Sequence, residues 1–254
     1  NGYDATEPEF DPSQTVQWGF ANQWAGAGVA RQNVTLFGPG TLVDEDGDAQ
    51  MPDNWREGWR WYYDAIWTHH FMPSADEDGS DLLAAGNPFE SGNLAMAQSH
   101  LWYTCCVSGT EWDIAALPSY DGTVTARLHA DTFRVLKQTE HPREAFEVLK
   151  YLTGEASLEL LAVYGGMPTR PGDQDAFFAA LDERFTQGVD WEVAKAHVAY
   201  ADVPSHESVL PNHNKANDRL DQFKSLLDSQ PGLDVDAEID KLVADLQAIF
   251  DEVR

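Results

Sequence analysis

Ser91-Gly92-Asn93-Leu94-Ala95-Met96-Ala97-Gln98-Ser99-His100-Leu101-Trp102-Tyr103 is the stretch whose reading decides the fold. Gly92 suits the position just past a short helical segment, because without a Cβ it takes φ > 0 freely. Leu94 to Gln98 is too short for a helix of its own and reads as a buried strand. Its end delivers Ser99, His100, Trp102 and Tyr103 together, and in α/β folds ligands sit beyond the carboxyl ends of strands. The alternative reading of Trp102 and Tyr103 is as core aromatics.

Composition sets the frame around that stretch. The chain has 254 residues, 43% of them apolar, with nine Trp, eight Tyr and twelve Phe. That is enough to bury a large core, and it separates the chain from disordered sequences. No run of eighteen apolar residues offers a membrane span. No signal peptide is visible either, and Asn1 in place of Met fits a mature or trimmed chain. Sixteen basic residues stand against 43 acidic ones, a net charge of −27, which argues against a nucleic-acid partner. The acidity fits a solvated surface better than a set of cation sites.

The two cysteines, Cys105 and Cys106, are adjacent. Neighbouring Cα atoms lie about 3.8 Å apart, below the usual disulfide range of about 4.4–6.8 Å. The alternatives are a strained vicinal disulfide, two reduced thiols with the character of small buried residues, or a bond to another segment.

Along the chain, residues 1–14 read as an entry segment and Thr15 to Phe20 as a strand. Asn22 then stands near the N-cap of a helix holding Trp24. Asp44 to Asp48 lacks the Gly and Glu of an EF-hand, and Asp46-Gly47 reads as a hairpin turn. Asp76 to Asp81 fails the same test. Trp55, Trp59, Tyr62, Tyr63, Ile66 and Trp67 repeat at helical spacing between Asp53, the expected N-cap, and His70. His69 and His70 are adjacent and do not share a helical face. Strands are expected at Trp112 to Pro118 and Thr132 to Leu136, with His129 and Asp131 just before the second. Helices follow from Pro142 to Gly154, over Leu158 to Val163, from Asp173 to Phe185, from Trp191 to Tyr200, over Asn214 to Leu227, and around Ile239 to Phe250. Gly165 to Pro171 breaks the helices with two Gly and two Pro. No phosphate loop, nucleophile elbow, zinc pattern or cofactor motif appears.

The order of a short helix, Gly92, the Leu94–Gln98 strand with its Ala-Met pair, Trp102, then a strand ending in Leu117-Pro118 resembles the sugar-binding proteins of ABC importers. Gly166 to Arg170 is similar to that family's Gly-x-Pro-x-Arg hinge strand. The resemblance runs from about Phe10 to the C-terminus. It implies an α/β, periplasmic-binding-protein-like two-lobe fold, here mostly the C-terminal lobe with one returning segment of the N-terminal lobe. Residues 1–117 are then the first part of the C-terminal lobe, with 1–14 as the crossover. Residues 118–167 belong to the N-terminal lobe, and 168–254 are the hinge return and helical remainder. The family's N-terminal lobe begins before the position of Asn1, so about its first third is expected to be missing.

The resemblance further implies a monomer that binds a sugar or oligosaccharide outside the cytoplasm, periplasmic or extracellular, with a lipoprotein tether as one form. It delivers the ligand to the transmembrane subunits of an ABC permease by cleft closure, without a cofactor, metal or catalytic residue. Trp102 is the first stacking candidate and Trp24 the second. Asn22, His100, Tyr103, Asp131 and Arg170 supply polar contacts, Arg170 alternatively pinning the hinge through an ion pair. His206, Asn212 and His213 lie near a loop that also contacts ligand in the family. The rival from another class is an extracellular carbohydrate-active hydrolase with paired carboxylates.

Overall fold

The computed structural model describes residues 3, 5–22, 31, 33–206 and 208–254. Backbone contacts divide the chain into two units. The first comprises Asn1–Gln98, Leu117–Arg127 and Val198–Arg254, and the second Ser99–Ala116 and Leu128–His197.

In the first unit the aromatic stripe folds as read. Helix α1 (Asp53–Trp67) buries Trp55, Trp59, Tyr62, Tyr63 and Ile66. Pro52 takes the N-cap, so Asp53 moves one place inward, where its carboxylate still favours the positive helix end. The short α2 (Ala75–Asp78) follows, with Ser74 and Glu77 forming a capping box. The stripe packs on two helices introduced later in the chain, at His213–Ser229 and Val235–Asp251. Trp59 meets Phe223 edge-to-face at 5.0 Å, and Tyr62 donates to the buried Asp228 at 2.7 Å.

The acidic run is a turn. Asp44 Oδ1 accepts from the N–H groups of Asp46 (3.0 Å) and Asp48 (2.8 Å), and Val43 bridges Ala49 antiparallel. Among the described residues no group of three or more His, Cys, Asp or Glu is placed to hold a metal.

Strands β1 (Trp18–Asn22) and β2 (Leu94–Gln98) pair in parallel, with Trp18 beside Leu94 and Asn22 beside Gln98. A strand begins where its partner does, so β1 starts at Trp18 rather than Thr15. Asn22 closes the strand, and the helix expected after it lies outside the described residues. The expected burial of β2 holds at Leu94 and Gln98 only. Ala95 is exposed and Met96 is 60% exposed, and the sheet has two strands among the described residues.

The second unit holds α3 (Pro142–Thr153), α4 (Ser157–Tyr164), α5 (Pro171–Arg184) and α6 (Trp191–His197). α5 opens at Pro171, before the expected Asp173 cap, because proline's fixed φ suits the first helical position. Its core joins Phe177, Phe178, Leu181, Phe185, Val189 and Trp191, with Leu161 and Met167 against them. Residues on both sides of 167/168 therefore share one core. Neither expected strand here is a strand. Trp112 and Ile114 still pack into that core, but their backbone has no ladder partner among the described residues. Residues 132–136 have no regular secondary structure and are exposed, Phe133 by 50% and Leu136 by 72%. Helix α3 starts and stops as read, at Pro142 and Gly154, yet buries no residue. Its Phe146, Val148 and Tyr151 are each more than half exposed.

In the first unit, α7 (His213–Ser229) and α8 (Val235–Asp251) complete the chain. No helix among the described residues is long and apolar enough to cross a membrane.

Candidate functional site

Directly after β2 the chain tightens into a 3-10 turn, Leu101–Cys105, with His100 at its N-cap. The end of α4 lies on this turn, and Gly165 makes that approach possible. Gly165 has φ 89°, a left-handed conformation. A Cβ there would collide with Thr104 Oγ1 and lie 2.9 Å from the Trp102 carbonyl oxygen and 3.0 Å from that of Leu101. The glycine thus places Tyr164, the last residue of α4, beside Trp102.

The result is a run of near-parallel rings. His129 stacks on His100 with centroids 4.5 Å apart and planes 23° apart. His100 stacks on Trp102 at 5.8 Å and 17°, and Trp102 lies parallel to Tyr164 at 6.4 Å. Tyr164 donates its hydroxyl proton to Asp131 Oδ2 at 3.1 Å. Burial, reinforced by that carboxylate, pushes the Tyr164 phenol above its ordinary value and keeps it a donor. A stack of aromatic rings edged by imidazole nitrogens and a carboxylate brings together the apolar and hydrogen-bonding groups that suit an amphipathic ligand.

The cysteines lie at the end of the same turn. Both are free thiols, Cys106 exposed and Cys105 half-buried, so of the alternatives the structure holds the reduced pair, and neither side chain is fully buried. Burial first, then contact with the Cys106 thiol, pushes Cys105 up to about 11.

In the first unit, Asn22 and Gln98 end the paired strands side by side. Both polar atoms of the Asn22 side chain and Gln98 Oε1 are buried without a hydrogen-bond partner among the described residues.

No family model matches the sequence, and no curated protein matches it. Solved structures do. An ABC transporter solute-binding protein from Thermotoga lettingae, bound with alpha-D-tagatose, is similar over 95% of this chain and 61% of its own, with a TM-score of 0.71 and 16% identity. This chain has the solute-binding-protein fold. UspC of M. tuberculosis is similar over 98% of this chain (TM-score 0.66, 19% identity). The maltotriose-binding protein of Thermus thermophilus, bound with maltotriose, is similar over 92% (0.65, 17%). The chain spans 61% of the length of each of these proteins.

On this solute-binding fold, the residues expected at the site fall into three groups. The second unit brings His100, Trp102 and Asp131 together. Tyr103 lies in the same turn but is only 4% exposed. Arg170 is exposed and its ion-pair partner is Asp173, at 3.9 Å. Asn22 belongs to the first unit, and Trp24 lies outside the described residues. The loop histidine His206 is buried, its Nδ1 2.6 Å from Asp202 Oδ2. Asn212 donates to Glu252, and His213 contacts Asn217. Sequence reasoning passed over Tyr164, which directly follows the helix read over Leu158 to Val163, and Gln98, read only as a strand end. The pointer to Tyr164 was the Gly165-Gly166 break beside it.

Proposed function

We propose that this protein binds a sugar or oligosaccharide and serves as the solute-binding component of an ABC importer. The observation that carries the reading is the stack of His129, His100, Trp102 and Tyr164, with Asp131 bonded at its end. Sugar rings present apolar C–H faces to aromatic planes and hydroxyls to carboxylates and imidazoles. The similar structures support the reading, since those from Thermotoga lettingae and Thermus thermophilus are described as binding proteins carrying a sugar. In this reading the protein works outside the cytoplasm as a monomer. It closes around the ligand and hands it to the permease without bond chemistry, and a lipid tether is compatible with that role.

A thermal-shift screen with alpha-D-tagatose and maltotriose, with product analysis of each hit, tests this. Ligand at a hundred times Kd adds about 2.7 kcal/mol of stability. Trp102→Ala is expected to weaken the best sugar at least about tenfold, or about 1.4 kcal/mol. Cleavage of the sugar, or unchanged affinity in the variant, would refute the reading.

A further inference from the structure

Strands β1 and β2 end on two amide side chains that carry buried polar atoms without a partner among the described residues. In a parallel pair, register partners project to the same face, so Asn22 and Gln98 share one. At the start of the strands Trp18 and Leu94 lie in an apolar core with Ala21 and Leu83. Gln98 is only 7% exposed. Its carbonyl oxygen and both polar atoms of Asn22 are buried with no partner among the described residues. Such atoms cost stability, and a branched apolar residue would suit both strand positions better. The pair also lies at the carboxyl ends of parallel strands, where α/β folds bind ligands.

We propose that Asn22 and Gln98 form a neutral amide subsite that reads adjacent hydroxyls of an uncharged polyol. The inference rests on the sugar-binding reading above and narrows it to neutral sugars. Each amide offers one acceptor oxygen and a two-proton donor. A hydroxyl both donates and accepts, so a diol matches two amides without leaving a charge behind. Among the described residues no cationic side chain bonds the orphaned atoms. A carboxylate or phosphate here would be buried without a counter-charge, which is expensive, and the net charge of −27 adds repulsion. The subsite therefore selects neutral sugars over their uronate counterparts.

The test compares wild type with Gln98→Met, which keeps side-chain length and removes the hydrogen bonds, and with Gln98→Glu, which keeps the shape and adds charge. Thermal melts are recorded without sugar, and calorimetry uses maltotriose, alpha-D-tagatose and D-glucuronate. Without sugar, Gln98→Met melts higher than wild type because an orphaned group is gone. It binds the neutral sugar at least tenfold more weakly, Gln98→Glu does the same, and wild type binds glucuronate at least tenfold more weakly than the neutral sugar. A sugar that binds wild type and the Gln98 variants equally well, or glucuronate that binds as tightly as the neutral sugars, overturns this inference alone. A wild-type protein that binds none of the sugars overturns it together with the sugar reading.

Discussion

Replacing Gly165 by alanine should be the most informative single change in the second unit. Gly165 sits at φ 89°, and a methyl group there would meet Thr104 Oγ1 and two backbone carbonyl oxygens of the Trp102-bearing turn. The left-handed conformation costs an L-residue about 1–2 kcal/mol. Reduced freedom of the unfolded chain returns about 0.4–1 kcal/mol, and overpacking adds about 1–3 kcal/mol. Gly165→Ala should therefore cost about 2–4 kcal/mol. Gly188 supplies the control, since it has φ 85° and open space around its absent Cβ. Gly188→Ala carries the conformational cost alone, about 1 kcal/mol. Urea unfolding followed by circular dichroism and tryptophan fluorescence measures both. Gly165→Ala should also weaken sugar binding, because it pushes Tyr164 from Trp102, whereas Gly188→Ala should not. Equal costs within about 0.5 kcal/mol, or unchanged sugar affinity in Gly165→Ala, would refute the argument that close approach builds the stack.

Two further outcomes follow from ionisable groups. Burial alone would raise the Asp202 carboxyl, but hydrogen bonds from the His206 ring and backbone N–H outweigh it and hold the group below its ordinary value. A carboxyl depressed in the folded state contributes stability that is fully present above its unfolded value of about 3.9 and lost as pH falls through the lower folded value. Acid melts of wild type should therefore be steeper there than those of Asp202→Asn, and parallel curves would contradict this. With iodoacetamide at mildly alkaline pH, exposed Cys106 should be alkylated before Cys105, whose thiol is pushed up to about 11. Peptide mass spectrometry showing equal rates would count against that environment.

The parts of this fold legible in sequence are those whose cause is local. The α1 stripe from Trp55 to Ile66 announces both a helix and its buried face. The cap pairs Pro142 with Gly154 and Ser74 with Glu77 are equally local. Burial and pairing are not. Helix α3 carries an apolar stripe as regular as that of α1, yet Ala145, Leu149 and Leu152 are only half-buried and no residue of the helix is fully buried, because periodicity fixes a face and not its partner. Residues 112–118 and 132–136 have strand composition, but a strand exists only through a second one, and none is beside them among the described residues. At the site, Trp102, His100 and Asp131 were visible as a polar-aromatic cluster around a strand end. Tyr164 reaches Trp102 through tertiary packing at a single glycine. Arg170 was chosen for its chemistry, whereas its ion pair is with Asp173, three residues on.

The exposed apolar residues of α3 bear on how the protein behaves in a test tube. Phe146, Val148 and Tyr151 each leave more than half of their surface open on a molecule of net charge −27. At low ionic strength, repulsion between like-charged copies acts well before such apolar surfaces can touch. The Debye length is about 8 Å in physiological salt and about 3 Å near 1 M. As salt shortens that reach, colloidal stability passes from charge to oily contact, so concentrated stocks belong in dilute buffer.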